Sequence, residues 1–288
     1  MLEESGGLHE LEDNIYDINL SMRLGALWLN DRWSRACSLC GMHELLAKYE
    51  EQVRRVSPFD NVERSERIVR ILLPHWRGVL WSALDGETAD ASIAGEIARF
   101  EGLGEFEWKY YSYDQPVDLP DRLRAAGFVP EATETLLIGD VQQLPQESPL
   151  PDGVELREVT DEAGIDAMGR VNLEGFGEVA SDAFGERVLK EIGEGRTRMV
   201  VAYAGDRPIS MGRVEFYPGT EFGGLYGGAT VPDWRGKGIF RAIVARRVAW
   251  ATAAGHRYLQ TDASDDSRPI LERLGFIPVG TTTPYIHP

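Results

Sequence analysis

One stretch, residues 226–244, constrains the fold more than any other part of the chain; it reads YGGATVPDWRGKGIFRAIV. Residues 226–231 are typical of a strand that must stop before Pro232, because proline has no N–H to donate to a sheet. A glycine-rich turn follows, and the sequence from Ile239 to about residue 254 predicts a helix. The chain therefore contains a strand, a tight loop and a helix in direct succession.

This loop predicts an anion site. Gly236 and Gly238 permit backbone angles that a β-carbon would forbid, so successive N–H groups can point inward at the start of the helix. The first amides of a helix have no intrahelical acceptor and lie at the positive end of its dipole. Arg235, Lys237 and Arg241 add positive charge. A pyrophosphate is the natural occupant of such a loop.

The spacing of the loop excludes two common phosphate-binding motifs. In a P-loop the lysine precedes Ser or Thr, whereas Lys237 precedes Gly238; in a dinucleotide fingerprint the last position is Gly, which here is Arg241. The stretch 235–240 instead resembles the Arg/Gln-x-x-Gly-x-Gly/Ala loop of the GCN5-related N-acetyltransferases (GNAT family), with Phe240 in place of the last small residue.

A second segment strengthens this resemblance. Some thirty residues after the loop, residues 270–276 (ILERLGF) are similar to the closing Leu-Tyr-x-x-x-Gly-Phe of the same family, with Leu271 at the tyrosine position. The resemblance implies an α/β (α+β) fold whose mixed, mostly antiparallel twisted sheet is flanked by helices. It also implies two parallel strands that splay apart, which we place at residues 223–231 and 257–263.

The resemblance also implies acetyl-CoA as the co-substrate. Its pyrophosphate would lie on the loop, and its pantetheine arm would lie between the splayed strands. The residues expected to contact it are Ala229, Thr230, Val231, Arg235, Gly236, Lys237, Gly238, Ile239, Phe240, Ser264 and Arg268. Ser264 falls where the family often has an asparagine.

Acetyl transfer to an amine needs a group that removes a proton from the acceptor. Strand position makes Glu215, Glu221 and Asp262 available for this role, although each could also be an ordinary solvated acid. The family often protonates the leaving thiolate with the tyrosine that is Leu271 here. Substitutes are Tyr226, Tyr258 and Tyr285, and each could instead be a core or cleft-wall aromatic. The catalytic candidates retained are Tyr226, Glu215 and Asp262.

The chain also contains an internal repeat. Residues 123–130 align with residues 271–278, 148 positions later, and both segments contain Gly-Phe followed by an apolar residue and Pro. The same offset pairs Tyr110 with Tyr258, Asp114 with Asp262 and Ile138 with Ile286. A proline-rich polar linker, residues 142–152, follows the first copy. We therefore predict two GNAT-like domains, residues 1–141 and 153–288.

The two copies differ where a cofactor would bind. The first copy predicts strands at 68–73, 78–81 and 106–113 and a helix at 85–100 with Asp85 as cap. Its stretch 84–90 reads LDGETAD where the second copy has the glycine loop. Three carboxylates suit a helix start but would repel a pyrophosphate. The first copy is therefore expected to be degenerate and structural.

Composition excludes some classes of partner. A net charge of −17 argues against nucleic acid and against an anionic membrane, and mildly favours a cationic amine acceptor. The acidic start lacks the pattern of a secretory signal and no run reaches membrane-span length, so we expect a cytoplasmic protein. Cys37 and Cys40 form a Cys-x-x-Cys pair near His43, but a fourth zinc ligand is missing and no metal is expected.

These observations leave three functions open. The first is an N-acetyltransferase that acts on a small-molecule amine. The alternative is a non-catalytic CoA-binding regulatory or scaffolding module, suggested by Leu271 and by the lost first site. A protein-lysine acetyltransferase is the third. The sequence favours no particular acceptor and no oligomeric state.

Overall fold

The structure is a computed structural model that describes residues 39–73, 76–177 and 182–288. The chain divides into two compact units, residues 1–47 and 48–288. The described part of the first unit is the beginning of helix α1, Leu39–Tyr49. Cys37, and with it the predicted Cys-x-x-Cys pair, lies outside the described residues.

The second unit is built on a 12-stranded sheet. Its strands are β1 Val62–Arg64, β2 Ile68–Leu72, β3 Arg77–Ser82, β4 Phe106–Tyr111, β5 Val129–Pro130, β6 Glu134–Asp140, β7 Val154–Glu158, β8 Thr197–Ala204, β9 Arg207–Phe216, β10 Phe222–Thr230, β11 Tyr258–Ala263 and β12 Ile277–His287. The helices that follow α1 are α2 Ala89–Phe100, α3 Leu119–Ala125, α4 Glu162–Phe176, α5 Asp182–Gly193, α6 Ile239–Ala253 and α7 Arg268–Leu274.

The strands lie in the order β1-β2-β3-β4-β12-β6-β11-β10-β9-β8-β7, and β5 pairs with β12. The pairs β3–β4 and β10–β11 are parallel. The other pairs are antiparallel. The predicted fold class, a mixed and mostly antiparallel sheet flanked by helices, is confirmed.

The last strands of the two halves are exchanged. We call residues 48–141 the N-terminal half and residues 153–288 the C-terminal half. Strand β6 of the N-terminal half pairs with β11, and β12 of the C-terminal half pairs with β4. Each half therefore completes the sheet of the other. No helix or strand occurs in the predicted linker, residues 142–152.

The exchange extends into the two hydrophobic cores. Leu137 of β6 packs in the core of the C-terminal half, together with Ile243 of α6. Tyr285 of β12 packs in the core of the N-terminal half, together with Leu123 of α3. Since each final strand brings buried side chains to the other half, burial of apolar surface stabilises the exchanged arrangement.

The repeat is visible at the ends of α3 and α7, but its ungapped offset does not extend to the preceding strands. Gly127 and Gly275 both have a positive φ, at 95° and 110°. In the sheet, Tyr110 pairs with Thr283, whereas Tyr258 pairs with Asp140. The predicted correspondence of Tyr110 with Tyr258 is therefore wrong. The connection before α3, residues 112–118, is longer than the connection before α7, residues 264–267, so the offset changes between strand and helix.

One charged residue near the start of the second unit is buried. A π-helical turn, Glu50–Arg55, follows α1, and Arg54 within it is only 2% exposed. Its guanidinium donates to both carboxylate oxygens of Asp114, at 2.9 and 3.0 Å. It also lies 3.6 Å from the centre of the Tyr111 ring. The charge pair and the ring remove this arginine from solvent, which its polar sequence context did not predict.

Candidate functional site

The start of α6 has the predicted strand, loop and helix. Strand β10 ends at Thr230, a short 3-10 turn covers Pro232–Trp234, and α6 begins after Gly238. Gly236 and Gly238 have φ values of +75° and +85°, the left-handed region that favours glycine. A β-carbon at Gly236 would meet no atom within 4 Å, so the surface of the loop is open.

The amides at this helix start have no partner within the helix. Ala242 N donates to Gly238 O at 3.2 Å, the first bond of the helix ladder. The backbone N–H groups of Ile239, Phe240 and Arg241 precede that bond, so they have no carbonyl one turn earlier to donate to. The helix therefore presents several N–H groups at an open loop, where an anion would be stabilised.

The basic residues of the loop have different roles. Arg235 donates to Thr230 O and to Gly175 O of α4, each at 3.0 Å, so it fixes the loop to the strand and to a neighbouring helix. Lys237 is exposed, with its Nζ 4.3 Å from the centre of the Trp234 ring. Among the residues that the structure describes, no carboxylate pairs with Lys237 or Arg241. These two cations are therefore available to an anion.

Phe240, which replaces the small residue of the resembling motif, turns toward the sheet. A β-carbon at Gly228 would lie 2.9 Å from a carbon of the Phe240 ring. Gly228 thus provides the space that the ring occupies. The aromatic side chain packs against β10 and does not cover the loop.

The predicted divergence of the parallel strands is present. Strands β10 and β11 pair only where Phe222, Gly223 and Gly224 meet the start of β11. The pairing of β10 with β9 also shifts between Tyr226 and Ala229, where β10 has one more residue than β9. Such a bulge leaves its extra residue outside the ladder. Residues 227–228 therefore lack regular strand partners both on β9 and on β11.

A buried cluster of hydroxyl and amide groups lies beside this gap. The hydroxyls of Tyr217 and Tyr226 are hydrogen-bonded to each other, and Gln260 Nε2 donates to both at 2.9 Å. Burial raises the pKa of both tyrosines well above the ordinary value, and the neighbouring Glu215 adds to the effect. Tyr226 therefore keeps its proton at neutral pH and can act as a hydrogen-bond donor.

The predicted carboxylates differ in their partners. Glu215 accepts a hydrogen bond from Arg213 Nε at 2.7 Å through Oε1. Asp262 accepts from Lys109 Nζ at 2.6 Å and from Thr282 Oγ1 at 3.1 Å, one bond to each oxygen. Burial lowers the pKa of Lys109, but the charges of Asp262 and Glu107 outweigh it and the pKa is raised, so Lys109 remains an ammonium. Both carboxylates are therefore ion-paired, Glu215 with Arg213 and Asp262 with Lys109. Asp262 accepts hydrogen bonds through both oxygens, whereas Glu215 accepts the bond from Arg213 through one.

Other predicted positions lie apart from this cluster. Glu221 accepts from Gln52 Nε2 at 2.9 Å and fixes the turn before β10. Ser264 is exposed at the start of α7, where its hydroxyl lies 3.2 Å from that of Ser267. Arg268 Nε donates to Glu272 at 2.7 Å.

The candidate tyrosines are also separated. Leu271 is buried in the core of the C-terminal half, so no hydroxyl occupies the family's tyrosine position. Tyr258 packs on the ring of Phe222, with ring centres 5.1 Å apart. Tyr285 belongs to the core of the N-terminal half. Tyr226 is therefore the candidate tyrosine that lies on the divergent strand itself.

The sequence analysis did not include Tyr217, Gln260, Lys109 or Arg247 in the site. Lys109 is a charged residue between Trp108 and Tyr110 in an aromatic-rich strand, and Arg247 interrupts the apolar residues of α6. Both patterns were detectable signals. The partner of Lys109 was not detectable, because it is 153 residues away along the chain.

In the N-terminal half, the turn that precedes α2 is closed by the side chain of Asp85. Asp85 Oδ1 accepts from Glu87 N at 3.0 Å, from Thr88 N at 2.8 Å and from Thr88 Oγ1 at 2.7 Å. Helix α2 then begins at Ala89, so Asp85 closes the turn before the helix. The Thr88 hydroxyl and amide lower the pKa of Asp85, which keeps its carboxylate charged.

Neither a membrane-spanning helix nor a metal site occurs among the described residues. No helix in the described part of the chain is long and apolar enough to cross a membrane. Within residues 39–73, 76–177 and 182–288, no three His, Cys, Asp or Glu side chains are grouped so that they could hold a metal ion.

The candidate site lies within a segment that matches a known family model. The family model described as "Acetyltransferase (GNAT) domain" matches residues 158–284. No curated protein matches the chain.

Solved structures share the fold over most of the chain. A GCN5-related N-acetyltransferase from Kribbella flavida is 16% identical, with a TM-score of 0.58 over 86% of this chain and 94% of that one. A GCN5-related N-acetyltransferase from Sphaerobacter thermophilus is 11% identical, with a TM-score of 0.55 over 85% and 84%. A tandem GNAT protein from the clavulanic acid biosynthesis pathway is 12% identical, with a TM-score of 0.55 over 85% and 95%. The chain thus has the fold of these solved structures, and residues 158–284 match the model of a GNAT acetyltransferase domain.

Proposed function

We propose that this protein is an N-acetyltransferase that transfers the acetyl group of acetyl-CoA to the amine of a small molecule. The observation that carries the proposal is the open start of α6, whose unpaired amides lie at the end of the strand that diverges from β11. This arrangement falls within the residues that the GNAT domain model matches.

The loop supplies the groups that a pyrophosphate needs. Its oxygens would accept from the backbone N–H groups of residues 236–241, with Lys237 and Arg241 as countercharges. The pantetheine arm would follow the edge of β10 that β11 leaves unpaired, near Ala229, Thr230 and Val231. Ser264 and Arg268, at the start of α7, would contact the cofactor from the other side of the gap.

The cluster beside the gap supplies groups for the chemistry. An alkylammonium with a pKa of about 10 must lose a proton before it can attack. Glu215 accepts that proton, directly or through a water molecule. The nitrogen then forms a bond to the thioester carbon, and an N–H of the bulge at residues 227–228 stabilises the negative oxygen. The carbon–sulfur bond breaks as the Tyr226 hydroxyl gives its proton to the leaving thiolate. The nitrogen then loses its second proton, which returns to Tyr226 through water and leaves the neutral amide.

We further propose that the chain is a tandem pair in which residues 1–141 form a degenerate copy, residues 142–152 a linker and residues 153–288 the acetyl-CoA domain. Support comes from the parallel pair in each half and from the similar ends of α3 and α7. The Asp85 carboxylate, which bonds the amides of the turn just before α2, puts negative charge where a pyrophosphate would lie. Use of acetyl-CoA agrees with the cytoplasmic location expected from the sequence.

The second candidate function is a CoA-binding module without turnover. Leu271 favours it, because the hydroxyl that often protonates the thiolate in this family is absent and the site is filled by a buried side chain. This candidate predicts tight CoA binding and no amine acetylation.

Calorimetry and a thiol-release assay with a panel of primary amines test the proposal. We expect one acetyl-CoA site per chain and amine-dependent release of CoA. Glu215→Gln should lower kcat by about 10²-fold, as for loss of a general base, and leave the Kd for acetyl-CoA unchanged. The exposed Glu155→Gln serves as the matched control. Binding without turnover on any amine would favour the module, and absence of binding would refute both candidates.

A further inference from the structure

A buried arginine beneath the divergent strand has no role in the chemistry described so far. Arg247 lies on the side of α6 that faces the sheet and is 2% exposed. In the described part of the chain no carboxylate pairs with it, unlike Arg54, which has Asp114. Its partners are backbone carbonyls: Ile243 O at 3.2 Å, Arg213 O at 3.2 Å and Tyr226 O at 3.4 Å.

This arrangement is energetically costly. Burial, and to a smaller extent the charge of Arg213, lowers the pKa of Arg247 from its ordinary value. A buried charge without a countercharge destabilises a protein, and an apolar side chain of the same length would fill the space without that cost. The position of Arg247 therefore calls for an explanation other than packing.

Two of these three carbonyls belong to strands and lie at the base of the bulge. Arg213 and Tyr226 form the last regular pair of β9 and β10 before the register shifts. Glycines make room for the guanidinium on both strands. A β-carbon at Gly212 would lie 2.8 Å from Arg247 Cζ, and one at Gly228 would lie 3.7 Å from its Nη2. The guanidinium therefore lies next to residues 227–228, the segment that departs from the regular pairing of β9 and β10.

We propose that Arg247 is a positioning residue for acetyl transfer: by holding the carbonyls of Arg213 and Tyr226 on the α6 side of the sheet, it keeps the bulge amides at residues 227–228 turned into the gap. The inference rests on the proposed function, because the ligand of those amides is the thioester carbonyl. The positive charge of Arg247 also lies beneath the place where negative charge develops on that oxygen, which adds to the stabilisation.

Three variants test this role. Arg247→Met keeps the length of the side chain and removes the charge and the donors. Arg247→Lys keeps the charge and one donor group. Arg246→Met changes the exposed neighbouring residue on the same helix and serves as the matched control. For each variant we would measure the Kd for acetyl-CoA, kcat with the best amine, and the ¹³C shift of the carbonyl in bound [1-¹³C]acetyl-CoA.

A positioning role predicts a split between these measurements. Arg247→Met should lower kcat by about 10²-fold, the lower end of the range for loss of one oxyanion donor, and change the Kd by less than about threefold. The carbonyl shift should move toward that of free acetyl-CoA. Arg247→Lys should be intermediate, and Arg246→Met should match the wild type in all three measurements.

Each other result overturns the inference. If Arg247→Met keeps the wild-type kcat and carbonyl shift, the residue does not position the bulge. If the variant loses binding and thermal stability and Arg247→Lys restores neither, the residue is structural. If the wild type binds acetyl-CoA but acetylates no amine, the proposed function has failed, and a carbonyl shift that Arg247→Met leaves unchanged overturns the positioning role as well. If the wild type binds no acetyl-CoA, the proposed function has failed and this inference fails with it.

Discussion

Helices α2 and α6 both follow a strand of a parallel pair, but the turns that lead into the two helices differ. Before α2, the carboxylate of Asp85 accepts from two backbone amides and from the Thr88 hydroxyl. Before α6, Gly236 and Gly238 bring no side chain, and the amides of the first turn have no intrahelical acceptor. A helix start can therefore be completed by the chain itself or left for a ligand, and the residues that precede the helix decide which.

The largest effect should come from making α6 resemble α2. In Gly238→Asp, the new side chain begins where a β-carbon would be 3.1 Å from the Arg241 guanidinium. Its carboxylate would occupy the anion site and repel phosphate. We expect the Kd for acetyl-CoA, measured by calorimetry, to rise more than about 100-fold, which corresponds to about 2.7 kcal/mol.

The control for that variant is Gly102→Asp, which has a similar φ of +77° and no atom near its β-carbon. It introduces the same charge and comparable backbone strain at the end of α2. Wild-type affinity in Gly238→Asp would remove the basis of the comparison between the two helix starts.

A smaller loss should follow when the loop keeps its backbone and loses one charge. Lys237→Ala removes an exposed ammonium that pairs with no carboxylate in the described residues. We expect the Kd for acetyl-CoA to rise about 3- to 10-fold at low salt and less at high salt, because screening weakens an exposed charge. Lys190→Ala, 73% exposed on α5, is the control and should bind as the wild type does. An equal loss in both variants would indicate a general charge effect and not a loop contact.

The reverse change, opening the start of α2, should not create a second site. Asp85→Ala removes the acceptor for two amides, so we expect the melting temperature to fall by a few degrees. Calorimetry should still give one acetyl-CoA site per chain, because Glu87 and Asp90 keep this helix start acidic. The exposed Asp152→Ala is the control for stability. If Asp85→Ala bound acetyl-CoA at two sites, the Asp85 carboxylate alone would account for the lack of binding in the N-terminal half.

The smallest effect concerns pH. The pKa of Asp85 in the folded protein lies below its ordinary value of 3.8 because Thr88 donates to it. Its contribution to stability is therefore complete well above pH 3.8 and is lost as the pH falls through the folded-state pKa. Melting curves of the wild type and Asp85→Asn should differ at pH 6 and converge toward pH 3. A difference that stays constant over this range would mean that the charge of Asp85 does not contribute.

The sequence predicted most elements and the α6 loop because these depend on local constraints. Pro232 ends β10, and Gly236 and Gly238 take backbone angles that few other residues adopt. Strand β1 was not predicted because its three residues, Val62–Arg64, are too few to show the alternation of apolar and polar residues that marks a strand. Helix α2 was predicted to begin at Asp85 and begins at Ala89, because the Asp85 side chain bonds the amides of a preceding turn.

The exchanged strands and the contacts of Lys109 and Arg247 were not predictable for a different reason. Strands β6 and β12 each follow a Gly-Phe helix end, so either strand could pair with β4 or β11 on the basis of pattern alone. Lys109 and Asp262 meet only because of that exchange. Arg247 was visible as a charge within an apolar helix face, but its partners are carbonyls, which every residue carries.

The exchange of final strands has a consequence for biosynthesis. While the ribosome is still making residues 142–276, strand β4 has an unpaired edge, since β12 has not yet emerged. An exposed strand edge invites association with other chains. The N-terminal half can therefore finish folding only after almost the whole chain has been translated, and its nascent form is the species that we expect chaperones to protect.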